Sequence, residues 1–368
     1  MLHGIFDPIG WPVSLMRAPN QSQLARRLRL SRATVSRALA NHPALSADTR
    51  ARVQAMATEL GYAGAPTRSV RKDSDARPLQ LGVLIGTPLA ASDQITLPQI
   101  LDGIRARARM DRANVDILPF APEETAPLAG RRRLFGHLRS AGWRGAVLLY
   151  PFPEATVTML AEKLSVVSVL NECSDERIDT IDTDHGGIRM LVAHLVALGH
   201  RKIGFATWRY PAGGLWASRR FAAYAEAMFQ HGLSFSPADV VNVGPASAAA
   251  ASPGDLALFV AERVRRGVTA WVCAADHQAY QLVADLQRRG IRVPQEVSIT
   301  GFDGQAAPPG LSRLTSLAVP NADIGASAVA RLVGRLLQPG SPRRAILVTP
   351  RLIVGETTAA PAKGGLSS

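Results

Sequence analysis

Residues 31–53, SRATVSRALANHPALSADTRARV, contain two serines that each precede a helical pattern. A serine before a helix can act as its N-cap, because the hydroxyl accepts a hydrogen bond from a backbone N–H of the first turn. Ser31 and Ser46 occupy this position, and Val35 and Leu39 lie four residues apart on one face of the first helix. The stretch therefore predicts two short capped helices joined by a tight connection.

The segments on either side supply the rest of a small apolar core. QSQLARRL places two leucines, Leu24 and Leu28, on one helical face, which we expect to pack against the apolar face of the capped helix. The longer helix after Ser46 contributes its own core residues: Val53, Met56, Ala57 and Leu60. These faces predict a domain of short helices over residues 20–62.

The other side of the helix after Ser31 is polar and basic. This is the layout of a helix-turn-helix, whose second helix presents its first two turns to base edges in a major groove. Arg37 can donate two hydrogen bonds to guanine O6 and N7, and serine and threonine hydroxyls can donate to phosphates. The predicted DNA contacts on this helix are Ser31, Arg32, Ala33, Thr34, Ser36 and Arg37. The alternative is a small solvated helical bundle with serine caps.

Positive charge is concentrated at the amino end of the chain. The formal net charge is +13, and the first 72 residues hold eleven Lys or Arg against three Asp or Glu. Such a concentration indicates a phosphate-binding module, because neutralised phosphates release counterions. Arg29, in the turn before the capped helix, and Arg68 and Arg71, in a linker at 63–78, are further predicted DNA contacts. A solvated basic tail is the alternative.

From Leu79 onward, short apolar strands alternate with amphipathic helices. Eight β-rich runs, among them LQLGVLIG, GAVLLY and VSITGFD, are mostly followed by helical patterns such as HQAYQLVADLQRRG. The alternation predicts an α/β fold with parallel sheets covered on both faces. Eight strands fit one large sheet or two lobes, and the polar, acidic segment 171–187 is a candidate crossing between lobes.

Several classes of function lack their sequence signals. Cys173 and Cys273 have no CxxC partner, which gives neither a disulfide framework nor a zinc site. His194 and His200, at i and i+6, fit a helix end better than a metal pair. Catalytic triad, phosphate-loop and dinucleotide motifs are missing from the sequence. We therefore predict no metal, no cofactor and no enzyme.

The sequence also carries no targeting signal. Its opening lacks a secretory pattern, and no apolar run approaches the roughly 20 residues that span a bilayer. We predict a cytoplasmic, nucleoid-associated protein that does not bind membranes. The arginine triplet at 131–133 is predicted to lie on a solvated helix face.

The stretch LARRLRLSRATVSRALANHPALSADTRARVQAMATELGY resembles the headpiece of the LacI/GalR (lactose-repressor) family of transcriptional regulators. The resemblance continues in DTDHGGIRMLVAHLVALGHRKIGF, GIRVPQEVSITGFD and LIVGETTA, and it covers about residues 22–360. It implies a helix-turn-helix headpiece at 20–62, a hinge at 63–78 and a core at 79–360.

The same resemblance implies that the core has two lobes of periplasmic-binding-protein type, dimerises and binds a small effector, by default a sugar or related metabolite, between the lobes. The chain would cross between the lobes near 171–187, 303–320 and 336–345, while 1–19 and 361–368 would be extensions. Double-stranded, pseudo-palindromic operator DNA would be the partner of the dimer. The implied effector contacts are Arg220, Asp303, Asn171, Arg219 and Trp216.

Several positions depart from the family pattern. Arg29 stands where the family has a turn glycine, and Arg71 stands near the position of the leucine that wedges into the minor groove. Ala275 replaces the asparagine that precedes Asp276, which predicts a drier effector pocket. Two other functions compete with regulation of transcription: a solute-binding protein built from the core alone, and an α/β enzyme.

Overall fold

The computed structural model describes residues 21–39, 46–60, 78–86, 97–125, 128–209, 215–234, 236–244 and 247–362. The predictions for the hinge, with Arg68 and Arg71, lie outside the described residues, as do those for 1–19 and for most of 361–368. The chain divides into two compact units, Met1–Arg77 and Pro78–Ser368.

The first unit contains three helices, α1 (Gln21–Leu28), α2 (Arg32–Leu39) and α3 (Ala47–Glu59). Their fully or nearly buried core consists of Leu24, Ala25, Val35, Ala38, Val53 and Ala57. Leu39 is only partly buried. Leu39 packs against this core as predicted, and Ala38, which the sequence analysis did not name, is the second fully buried residue of α2 beside Val35.

Both predicted serine caps are confirmed. The Ser31 hydroxyl accepts a hydrogen bond of 3.0 Å from the backbone N–H of Thr34. The Ser46 hydroxyl accepts one of 3.2 Å from the backbone N–H of Thr49. These bonds satisfy N–H groups that have no partner within their own helices, so they fix where α2 and α3 begin.

The turn between α1 and α2 forces Arg29 into the left-handed region, with φ of 53°. The N–H of Arg29 donates to the carbonyl of Arg26, and the N–H of Leu30 donates to that of Ala25. These two bonds form a Schellman motif, which favours glycine at the left-handed position. The departure from the family glycine therefore leaves the turn geometry in place at the cost of backbone strain.

The second unit has two sheets and a two-stranded ribbon. Its strands are β1 (Leu79–Ile85), β2 (Ala113–Pro119), β3 (Gly145–Leu149), β4 (Ser165–Val169), β5 (Asp179–Thr183), β6 (Ile203–Ala206), β7 (Val240–Val241), β8 (Ala270–Cys273), β9 (Ser298–Thr300), β10 (Ser316–Ala318), β11 (Ala345–Val348) and β12 (Arg351–Ile353). Its helices are α4 (Leu97–Met110), α5 (Leu128–Ala141), α6 (Glu154–Ala161), α7 (Ile188–Ala197), α8 (Leu215–Gln230), α9 (Pro253–Arg265), α10 (Asp276–Arg288) and α11 (Asn321–Leu337).

Each sheet is the centre of one lobe. The first lobe has six parallel strands in the order β11-β5-β4-β3-β1-β2, with α4 and α11 on one face and α5 and α6 on the other. The second lobe has four parallel strands in the order β7-β6-β8-β9, with α9 and α10 on one face and α7 and α8 on the other. The ribbon pairs β10 with β12 in antiparallel orientation. The eight apolar runs of the sequence all form strands, and they divide between two lobes rather than one sheet.

The structure agrees with one predicted crossing and contradicts another. The chain leaves the first lobe after Thr183, within the predicted segment 171–187, although that segment also contains β5, a strand of the first sheet. The crossing predicted at 336–345 is wrong, because α11 before it and β11 after it both belong to the first lobe. The chain leaves that lobe after β11 instead, and the carbonyl of Thr357 accepts a hydrogen bond from Ile299 of the second sheet.

The sequence pattern missed β5 because the strand DTIDT is largely polar. Asp179, its first residue, is completely buried. Its carboxylate accepts hydrogen bonds of 2.6 Å from Nε of both Arg331 and Arg335, and one of 2.5 Å from the backbone N–H of Arg344. Two arginines of α11 and the backbone N–H of Arg344, directly before β11, thus compensate the buried charge of Asp179. From the sequence alone, this carboxylate would be expected in a loop.

Candidate functional site

The outer surface of α2 is polar and basic. Its exposed side chains are Arg32, Ala33, Ser36 and Arg37. Thr34 is half-buried, and its hydroxyl lies 2.8 Å from that of Ser31, so these two side chains form the cap of the helix. The exposed Arg29 of the turn continues the basic surface toward Arg26 and Arg27 at the end of α1. Arg26 and Arg27 were not among the DNA contacts predicted from the sequence, although they directly precede the turn.

Arg220 is the centre of a second cluster, within the core. It lies in α8 with only 5% of its surface exposed. Its guanidinium lies over the ring of Phe302, 3.5 Å from the centroid, and 4.7 Å from the centroid of the Trp216 ring. Nη1 donates a hydrogen bond of 2.5 Å to the carbonyl of Ala274, and Nη2 lies 3.5 Å from Oδ1 of Asp303. Burial lowers the pKa of Arg220, and the Asp303 charge opposes that effect.

Asp303 follows β9 and has a strained backbone, with φ of 129°. Its N–H donates to the carbonyl of Leu317, and the pairing continues at Ala318, so the ribbon holds this conformation in place. Burial raises the pKa of Asp303 to about 7, and the positive charge of Arg220 limits the rise. A non-glycine residue in this backbone region persists only where its surroundings fix it, which is typical of functional sites.

Asp276, the first residue of α10, fixes the loop after Asp303. It is completely buried, and its Oδ2 accepts a hydrogen bond of 2.7 Å from the backbone N–H of Gln305. Oδ1 accepts one of 2.6 Å from the hydroxyl of Ser316. Burial raises the pKa of Asp276. The carboxylate therefore connects α10, the loop and β10, a positioning role that the sequence did not reveal.

His185 connects this cluster to the first lobe. Its Nδ1 accepts a hydrogen bond of 3.3 Å from Nε of Arg220, and its Nε2 lies 3.3 Å from Oδ2 of Asp182 in β5. Because Nδ1 accepts, we assign the ring hydrogen to Nε2, from which it can be donated to Asp182. The histidine stands between α8 of one lobe and β5 of the other, and its position beside the predicted crossing was the only signal for it in the sequence.

A cavity of about 550 Å³ lies beside this cluster and is lined by β5, β11, α8 and the segment after β4. Asn171 and Arg219 line it, and Arg219 forms an ion pair with Glu172. His185 is part of the same lining. The five predicted effector residues thus form two groups: Arg220, Asp303 and Trp216 lie together, whereas Asn171 and Arg219 lie at the cavity.

A further polar group lies at the carboxyl end of the second sheet. Trp208 follows β6, and its ring centroid is 5.0 Å from that of His277. The indole N–H is buried, and no acceptor for it exists among the residues that the structure describes. Ligands of open α/β sheets bind at the carboxyl ends of the strands, so this donor joins the candidate effector contacts.

The charged groups of the core are suited to binding a ligand with hydroxyl groups. Guanidinium and carboxylate groups bind hydroxyl groups through charge-assisted hydrogen bonds, and the buried setting strengthens them. In the described part of the chain, no group of three or more His, Cys, Asp or Glu is placed to hold a metal ion. His194 bonds to the hydroxyl of Thr358, and Nε2 of His200 lies 2.9 Å from the carbonyl of Ala359, so both histidines fasten the chain near its end.

Comparison with known proteins identifies both units. The bacterial regulatory proteins of the lacI family match residues 23–64, and a periplasmic binding protein-like domain matches residues 192–358. An HTH-type transcriptional regulator of Mycolicibacterium smegmatis is 30% identical over 380 residues, which cover 94% of this chain and 98% of that protein. This chain belongs to the LacI family.

One further relative and two solved structures also align over most of their length. The lactose operon repressor of Klebsiella pneumoniae is 27% identical over 93% of this chain and 92% of its own. The structure of the lac repressor dimer bound to operator and the anti-inducer ONPF has a TM-score of 0.60 at 22% identity, covering 94% of this chain and 100% of that chain. A complex of the transcriptional regulator CelR with cellobiose has a TM-score of 0.60 at 20% identity, covering 92% and 99%.

The family confirms the predicted fold class, a helix-turn-helix unit followed by a periplasmic-binding-protein-like α/β unit. As a LacI-family protein the chain is a DNA-binding regulator of transcription. Within the described ranges, no helix is long and apolar enough to cross a membrane.

Proposed function

We propose that this LacI-family regulator is a dimeric repressor of a pseudo-palindromic operator and that a small polyhydroxylated molecule, a sugar in the first instance, binds between its lobes and controls it. The observation that carries the effector site is the pair of the buried Arg220 and the partly buried Asp303, supported by Asp276 and joined to the first lobe through His185. The lac repressor dimer on its operator and the CelR–cellobiose complex support the choice of partners.

The chemistry of the pair favours a ligand with hydroxyl groups. Arg220 can donate to ligand oxygens, and an ionised Asp303 can accept from ligand hydroxyls. The rings of Phe302 and Trp216 contact the guanidinium and hold it in place. The side chain of Ala275 is buried and offers no hydrogen-bonding group beside this pair, so the specificity of the pocket rests on the charged groups and the indole of Trp208.

Control of DNA affinity follows from linkage. An effector changes the affinity for the operator only by as much as its own affinity differs between two states of the lobes. Arg220 and Asp182 lie in different lobes and both contact His185, so a ligand that engages Arg220 changes a contact between the lobes. This supports an effector that alters the closure of the lobes.

The DNA contacts are assigned to α2. Arg32, Ala33 and Arg37 face the base edges, while Ser31, Thr34, Ser36 and Arg29 lie toward the phosphates. Arg26 and Arg27 extend the same basic surface. Because one helix-turn-helix reads a single half-site, a two-fold dimer is the assembly that matches a pseudo-palindrome.

The effector site is tested with a thermal-shift screen of cellobiose, lactose, glucose and nucleosides, followed by operator binding measured by fluorescence anisotropy. We expect a ligand that raises the melting temperature and changes operator affinity. Asp303→Ala should retain operator binding and lose the response to that ligand, since Asp303 belongs to the core alone. Loss of operator binding together with the response would make Asp303 a structural residue instead.

The other assignments concern catalysis, location in the cell and assembly. We propose that the chain has no catalytic activity, because its relatives are regulators, and that it acts in the cytoplasm, where its DNA lies. The competing solute-binding function is disfavoured by the helix-turn-helix unit. Sedimentation velocity tests the dimer: a monomer at micromolar concentration would contradict it.

A further inference from the structure

A groove on the outer face of the first lobe combines positive charge with an apolar floor. It has a volume of about 900 Å³ and lies between α5 and the segment that leads from α6 into β4. Its cations are Arg131, Arg132, Arg139, Arg144 and Lys163. Its floor includes Leu128, Phe135, Met159 and Leu164. The lining set contains five cations and no carboxylate, so the groove is electropositive throughout.

The positive charge is largely uncompensated. In the part of the chain that the structure describes, the side chains of Arg132, Arg139, Arg144 and Lys163 form no ion pair. Nε of Arg131 donates a hydrogen bond of 2.8 Å to the carbonyl of Thr125, which is neutral. Five like charges along one groove repel each other, and an anionic partner would relieve that repulsion.

Two carboxylates near the groove are already engaged, and the exposed Glu162, which precedes Lys163, is outside the lining. Oδ2 of Asp116 accepts a hydrogen bond of 2.8 Å from Nε1 of Trp143, a lining residue, and lies 2.7 Å from Nε2 of His137. Glu124 pairs with Arg133, the third member of the arginine triplet. The arginine triplet lies largely exposed on α5, as the sequence predicted, and two of its members, Arg131 and Arg132, line the groove.

The floor indicates which kind of anion fits. Leu128 is 63% exposed, and Phe135, Met159 and Leu164 are half-buried, so apolar surface faces solvent between the cations. A duplex would use the cations but not this floor, since DNA presents its phosphates to a binding surface. A small molecule in a groove open on one side would leave much of its own surface in water. An acidic segment with apolar side chains satisfies both features.

The length of the groove suits a helix. The part of α5 that lines the groove runs from Leu128 to Arg139 and is about 16 Å long at 1.5 Å per residue, or about three helical turns. We propose that this groove docks an acidic amphipathic helix of a partner protein, with its apolar side chains on Phe135, Met159 and Leu164 and its carboxylates beside the cations. This surface does not involve the residues assigned to DNA or to the effector.

The probe is a fluorescein-labelled peptide of about four helical turns, with leucines at three- and four-residue spacing and glutamates elsewhere. Its affinity for the full chain is measured by fluorescence anisotropy. We expect the double variant Arg132→Glu, Arg139→Glu to bind it at least about tenfold more weakly. The matched control, Arg265→Glu with Arg313→Glu, makes the same charge change at two exposed positions of the second lobe and should bind within about twofold.

The floor is tested separately. A polyglutamate peptide of equal length should bind the unmodified chain at least about tenfold more weakly, because it has no apolar side chains to bury. Leu128→Ser, at an exposed position, should weaken the amphipathic peptide without lowering the melting temperature. Circular dichroism of every variant verifies that it is folded.

Three results would overturn the proposal. Equal binding of the amphipathic peptide to both double variants would place the contact elsewhere. If polyglutamate bound the unmodified chain as tightly as the amphipathic peptide does, the groove would recognise charge alone. A loss of affinity for mixed-sequence duplex DNA in the groove variant as large as the loss for the peptide would make the groove a phosphate surface.

Discussion

Arginine serves opposite purposes in the two units. In the helix-turn-helix unit, Arg32 and Arg37 are exposed on a helix whose core is formed by small and medium apolar residues. In the core, Arg220 is buried against two aromatic rings and reaches a carbonyl, a histidine and a carboxylate. An exposed guanidinium retains its hydration until a polyanion arrives, whereas a buried one must be compensated in advance. The first is suited to DNA and the second to a ligand enclosed by protein.

Removing the buried guanidinium should have the largest effect. Arg220→Ala leaves Asp303 and Asp276 buried without their cation, so we expect the core to lose about 3 to 5 kcal/mol of unfolding free energy. Urea denaturation measures the change. Arg219→Ala, one residue earlier and paired with the exposed Glu172, is the control and should cost about 1 kcal/mol or less. Similar losses in the two variants would mean that the burial of Arg220 carries no special energetic role.

Removing an exposed arginine should affect binding and leave stability unchanged. Arg37→Ala should weaken specific operator binding by about 1 to 3 kcal/mol, because a bidentate contact to guanine is lost. Fluorescence anisotropy with operator and random duplexes distinguishes a loss of base contacts from a loss of phosphate contacts. Arg27→Ala, on the neighbouring basic surface, should weaken both duplexes alike and reduce the salt dependence. If Arg37→Ala also weakens both equally, Arg37 contacts phosphate rather than bases.

The partly buried carboxyl of Asp303 should make the stability of the core depend on pH. The pKa of Asp303 is about 7 in the folded protein and about 3.9 when unfolded, so the folded state binds more protons between these values. Stability from this group is therefore present at low pH and is lost as pH rises toward and through 7. Between pH 6 and 8 the loss should be about 1 kcal/mol, and Asp303→Asn should remove it.

The measurement compares the urea denaturation of the unmodified chain and Asp303→Asn at each pH. The comparison cancels the contributions of His194 and His200, whose pKa values burial lowers. These histidines stabilise the folded state as pH rises through 6.5, which is the opposite sign. Identical pH profiles for the two proteins would show that Asp303 remains ionised throughout.

The smallest effect concerns the turn of the helix-turn-helix. Arg29→Gly should stabilise that unit by about 0.5 to 1 kcal/mol, because glycine adopts φ of 53° without strain. Arg29→Ala removes the same charge but keeps a Cβ, so it should give no such gain. Thermal unfolding followed by helical circular dichroism distinguishes them. If both variants lose operator affinity equally, the Arg29 charge contacts phosphate; if neither does, its role is confined to the turn.

The sequence by itself determined the local features of both units. Ser31 and Ser46 cap their helices because a cap depends on only a few consecutive residues. The apolar runs became strands because their alternation with amphipathic helices leaves few other ways to bury them. The motifs of the headpiece and core were dense enough to indicate the family, which the comparisons confirmed.

The tertiary structure alone decided which polar residues meet. β5 reads as a loop until Arg331 and Arg335, more than 150 residues away, compensate Asp179. Two adjacent arginines of α8 are alike in sequence, yet Arg220 is buried beside Asp303 and Arg219 lies at the cavity with Glu172. Local pattern fixes where a helix begins and which face is apolar. The environment of a buried charge depends on distant segments, because desolvation and pairing are properties of the packed lobes.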